Sequence, residues 1–74
     1  MNNMEELKDF QKRVIAERDE LQERMKKLLD FMGLNPVFDT LPKEEQKDMI
    51  MQAEFMAGYA VCLDNRINRF KKEK

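Results

Sequence analysis

The sequence predicts an all-α fold: an antiparallel two-helix hairpin, coiled-coil-like, that assembles into a homo-oligomeric helical bundle. Three observations predict it. The glycine and proline punctuation, Gly58 apart, is confined to the segment GLNPVFDTLP. Apolar residues recur at sevens on both sides of that segment. The middle of the second half is apolar on nearly every side, more than one partner helix can cover.

A single domain spans the 74 residues. The first helix is expected over residues 3–32, about 45 Å long at 1.5 Å per residue. Asn2 or Asn3 can cap it, and Glu5 and Glu6 suit its first turn. Gly33 is placed to end it in the left-handed conformation. Glu20/Arg24 and Glu23/Lys27 form i,i+4 pairs in the favourable orientation. A loop follows over residues 33–41, whose Leu34, Val37, Phe38 and Leu41 are expected to plug the closed end. The second long helix is expected over residues 42–72. Thr40 or Leu41 sits at its cap, Pro42 near its first position, and Glu44 and Glu45 in its first turn. So short a connection makes the two helices antiparallel neighbours. Leu7, Val14, Leu21 and Leu28 on one and Met49, Met56, Leu63 and Phe70 on the other form the seam. The expected register brings Leu28 near Met49 and Leu7 near Phe70.

Residues 49–63, MIMQAEFMAGYAVCL, exceed the needs of that seam. Ile50, Ala57 and Val61 lie on one flank of the helix, and Met51, Phe55, Gly58 and Cys62 on another. These residues are the expected oligomer interface, with small side chains allowing close backbone approach. Cys62 is expected to be a buried, reduced, inert thiol, which fits a cytoplasmic protein.

Composition excludes several classes. With one cysteine and no histidine there is no intrachain disulfide and no soft-metal site, and no cofactor is expected. The absence of histidine and serine removes the ordinary general base and the serine nucleophile, so no enzyme is expected. Charged residues are 39% of the chain, yet the net charge is −1, so duplex nucleic acid is not an expected partner. No apolar run approaches the ~20 residues that cross a membrane. The start, MNNMEELKDF, has acidic residues where a secretory leader has basic ones. Residues 64–74 hold five basic and two acidic residues. They suit either a helix C-terminus or a phosphate-binding patch.

One polar row interrupts the apolar surface. Gln52, Tyr59 and Arg66 recur at sevens beside the seam, and Phe10, Glu17, Arg24 and Phe31 do so on the first helix. In the expected register Arg24 lies near Gln52, Glu17 near Tyr59, and Arg66 near Phe10 and Gln11. The row reads as a hydrogen-bonded layer that sets register. Its other reading is a ligand site, in which arginine grips phosphate, tyrosine stacks on a base and glutamine reads an edge. On the second reading the site residues are Arg24, Gln52, Tyr59 and Arg66, with Arg18 and Arg69 of a neighbouring subunit as a second clamp.

The segment from Glu23 to Ile67 resembles the small helical-hairpin proteins of phages and prophages named after a crAss-like phage gene product. The resemblance rests on Glu23, Arg24, Lys27, Leu28 and Phe31, then Phe38, Leu41, Glu44, Glu45 and Gln46. Gln52, Met56, Tyr59, Leu63, Arg66 and Ile67 complete it. The loop at residues 33–36 departs from the pattern. By analogy of size and architecture, the chain is similar to phage anti-CBASS and anti-Thoeris sponges, small helical homo-oligomers that sequester nucleotide immune signals. That analogy implies a phage-encoded accessory protein in the host cytoplasm, with a cyclic nucleotide or cyclic ADP-ribose-like ligand. The rival expectation is a protein-interaction module that docks through its Met-rich face.

Overall fold

The computed structural model describes residues 7–72 and is all-helical there. Two long helices, α1 (Asp9–Leu34) and α3 (Lys43–Lys72), flank a single turn, α2 (Val37–Thr40). The molecule is a rod of 51 × 16 × 16 Å. The expected caps Asn2 and Asn3 lie outside the described residues. Observed helix begins only at Asp9, where the backbone N–H of Lys8 donates to Gln11 Oε1 at 2.9 Å.

α1 runs through Gly33, which does not end it, and no described residue has the left-handed backbone expected there. The stop comes from Pro36. Its ring excludes the helical conformation at the preceding residue, and Asn35 is extended at φ −99°, ψ 118°. A Cβ added at Gly33 would meet nothing within 4 Å. Gly33→Ala is therefore expected to stabilise the chain by about 0.5–1 kcal/mol, read as a rise in denaturation midpoint. A fall would mean that Gly33 leaves the helix.

The connection is more ordered than a plain loop. Asn35 Oδ1 accepts from the Val37 N–H at 2.9 Å, and Thr40 Oγ1 donates to the Val37 carbonyl at 2.7 Å, which closes α2. Gln46 Nε2 reaches back to the Leu41 carbonyl at 2.8 Å. The apolar plug is half of what the sequence suggests. Phe38 meets Phe31 edge to face at 6.3 Å and Leu41 is half-buried, but Leu34 is 80% exposed and Val37 also faces out. Turning the chain through α2 spends the inward positions on Phe38 and Leu41.

Leu7, Val14, Leu21 and Leu63 are buried, and Leu28, Met49, Met56 and Phe70 are half-buried, so the rows at sevens face inward. The register differs from the expected one. Arg66 shares a cleft with Phe10 and Gln11, as expected, but Val14 joins Phe70 there, and Ile15 and Arg18 meet Asp64, Ile67 and Asn68. This sets α1 about one helical turn further along α3 than a Leu7/Phe70 pairing. The slip brings Ala53, Ala60 and Ile67 into the interface as well.

Candidate functional site

The same slip rearranges the polar row. Arg24 and Glu17 are exposed and form no hydrogen bond with Gln52 or Tyr59 among the described residues. No polar side chain is buried among those residues, so the single chain does not contain the hydrogen-bonded layer. Of the suspected ion pairs, Glu23/Lys27 stands at 3.9 Å, and Lys26/Asp30 at 2.9 Å is a pair not foreseen.

Arg18 is committed elsewhere. Its Nε donates to Asp64 Oδ1 at 2.6 Å, tying α1 to α3. The hydrogen bond to Asp64 and its charge hold the guanidinium pKa above its ordinary value. This removes Arg18 as a clamp within its own chain. It also neutralises Asp64, the acidic neighbour of Arg66.

Two concave surfaces remain beside the row. The larger, about 480 Å³, is a groove along α3 lined by Asp48, Met51, Gln52, Phe55, Met56 and Tyr59. Its polar groups are one carboxylate, one amide and the Tyr59 hydroxyl, with no cation among them, which suits a protein surface better than an anion. The smaller, about 230 Å³, lies where the start of α1 meets the end of α3 and is lined by Phe10, Gln11, Val14, Arg66, Arg69 and Phe70. Arg66 and Arg69 are i,i+3 neighbours on one helix face. Phe10, 51% exposed, offers an accessible ring. Gln11 Oε1 is occupied by the Lys8 N–H, so its NH₂ group is left to donate. The cleft thus combines two cations, an amide donor and two phenyl rings, the chemistry that takes a phosphate and a base.

Gln52 and Tyr59 therefore line the groove, Arg66 and Arg69 line the cleft, and Arg24 lines neither. Phe10, Gln11 and Phe70 of the cleft are not among the sequence-predicted site residues, Phe70 because its place in the sevens marks it as core. The signal that could find Phe70 is its position one residue from Arg69 at the open end of the seam.

The suspected interface residues stand at the surface. Phe55 is 70% exposed, Val61 57%, Ile50 48% and Met51 38%, and Ala57 and Gly58 are exposed with them. Cys62 corrects an expectation: it is exposed, not buried. The seam to α1 occupies one side of α3, and Cys62 lies about 140° around the helix from Leu63's neighbour Ile67, at 100° per residue.

A Sequestin family model matches residues 8–69, most of the chain, with all of α1 and all but the last three residues of α3. The chain belongs to the Sequestin family. The family's name points to sequestering, and so to a bound partner, without saying which. The match carries neither a phage origin nor the crAss-like name. No curated protein and no solved structure matches the chain. No helix of the described residues is long and apolar enough to cross a membrane.

Proposed function

We propose that this Sequestin-family hairpin is a non-enzymatic sponge that assembles and sequesters a small anionic, nucleotide-like signal, as a phage accessory protein blunting host immunity would. The observation that carries the reading is the cleft of Arg66, Arg69, Gln11, Phe10 and Phe70. With Asp64 engaged by Arg18, the positive charge of Arg66 and Arg69 is available to a phosphate. At about 230 Å³ the cleft is smaller than the ~300 Å³ of ordinary small-molecule sites, so one chain holds only part of a dinucleotide-sized ligand. Sequestration needs no catalytic group, in keeping with the lack of histidine and serine.

The exposed Met51, Phe55 and Cys62 favour a second reading, a module that docks on another protein through this face. A thermal-shift screen with cyclic dinucleotides, cyclic trinucleotides and cyclic ADP-ribose isomers separates the two. A ligand at 100 times its Kd stabilises the fold by about 2.7 kcal/mol, so at least one of these compounds should raise the melting temperature by several degrees. A flat response across all three classes rejects the sponge and leaves the docking module.

A further inference from the structure

α3 carries a second heptad row that α1 leaves uncovered. Asp48, Gln52, Phe55, Tyr59, Cys62 and Arg66 follow one another at alternating steps of three and four, and Glu45 and Arg69 extend the row at either end. All eight are exposed. The row is about 36 Å long at 1.5 Å per residue and lies about 100° around the helix from the seam to α1.

Its chemistry is symmetric about residue 57. Acids occupy one end, bases the other, and two aromatics the centre. Glu45, Asp48, Arg66 and Arg69 form no ion pair within the chain among the described residues. A parallel pairing of two such rows would oppose like charges. An antiparallel two-fold pairing opposes Asp48 to Arg66, Glu45 to Arg69, Gln52 to Cys62 and Phe55 to Tyr59, each pair occurring twice. The groove of about 480 Å³ lies between the ridge Asp48–Gln52–Met56 and the ridge Met51–Phe55–Tyr59, the relief into which a ridge of a second helix packs. Gly58 stands beside it with nothing within 4 Å of an added Cβ, so a second backbone has room to approach.

We infer that a second copy of this chain seats on this row of α3, antiparallel, in the register that opposes Asp48 to Arg66 and Phe55 to Tyr59. The inference specifies the assembly on which the sponge reading rests. It buries Cys62 and Phe55, which the single chain exposes. Each guanidinium has five N–H donors, so Arg66 and Arg69 can meet a carboxylate on one edge and the cleft on the other.

The test is a register-specific cross-link. Residues 52 and 62 of one helix are about 15 Å apart, too far for a disulfide, whose Cα atoms stand within about 7 Å. Gln52→Cys, oxidised with diamide, should therefore join Cys62 only across two chains. A dimer band on a non-reducing gel, lost with reductant, is expected for Gln52→Cys and not for the wild type or for Ile50→Cys on the far flank. In sedimentation, Asp48→Arg and Arg66→Asp should each weaken the dimer about tenfold, by turning two attractions into repulsions, and the double variant should restore it. A wild type that sediments as a monomer overturns this interface and the assembly together. A dimer that cross-links equally through Ile50→Cys, or a double variant that does not recover, overturns the interface and leaves assembly by another face.

Discussion

Leu63→Ala is expected to leave most of the isolated chain unfolded. Leu63 is 1% exposed, the most deeply buried residue described, and sits in the cluster of Val14, Leu21 and Ile67 with Met56, Ala60 and Phe70 around it. Removing a buried leucine to alanine costs about 2–5 kcal/mol, the spread depending on how far the site can collapse. A core of this size rarely supplies more than about 3–5 kcal/mol, so the loss is comparable to the whole stability. The core is one residue deep along a rod 16 Å wide, with no second layer to close the gap. Circular dichroism against denaturant, at a concentration low enough to favour monomer, reads the result. Val61→Ala is the control, because Val61 is 57% exposed and its loss should shift the midpoint by less than about 0.5 kcal/mol. Equal effects at the two positions would mean that the packing of α1 on α3 contributes little in solution.

The second large effect is expected in the cleft. Arg66→Ala with Arg69→Ala should abolish binding of whichever compound stabilises the wild type. Each charge-assisted hydrogen bond contributes about 1.5–3 kcal/mol, so losing two arginines removes at least about a hundredfold in affinity, measured by calorimetry. Both side chains are exposed and neither supports the core, so the unliganded variant should keep its helical content at a concentration that keeps it assembled, although losing the pairs to Asp48 and Glu45 of the second copy weakens the dimer. Phe10→Ala should weaken binding less, by the loss of one stacking surface worth about 1–3 kcal/mol. Unchanged affinity in the arginine double variant would remove the cleft as the site and return attention to Gln52 and Tyr59 in the α3 groove. A double variant that remains dimeric yet loses stability without ligand would assign the two arginines to the fold.

Much of the fold was legible because it rests on local rules. Two long helices follow from the confinement of the breakers, and their inward faces from the sevens of Leu7, Val14, Leu21, Met56 and Leu63. The end of α1 was misjudged by a residue or two. Glycine permits a left-handed stop but does not impose one, whereas proline forbids helix at the residue before it. Asn35 obeys the proline. The one-turn α2 was missed because its hydrogen bonds come from Asn35 and Thr40 side chains, which are indifferent to apolar periodicity.

The sequence by itself determined the helical class, the inward rows, the apolar excess on α3 and the absence of the residues that ordinary catalysis needs. Each is a property of spacing or composition, readable along one helix at a time. Only the tertiary structure decided how α1 slides along α3. Heptads repeat, so shifting one helix by a turn again sets apolar against apolar, and periodicity cannot distinguish the two alignments. The choice shows in the burial of Ala53 and Ile67 and in the bond between Arg18 and Asp64, 46 residues apart in the chain. That one-turn slip separates Arg24 from Gln52 and pairs Arg18 with Asp64, whereas Arg66 keeps the place beside Phe10 and Gln11 that the sequence predicts and is joined there by Arg69.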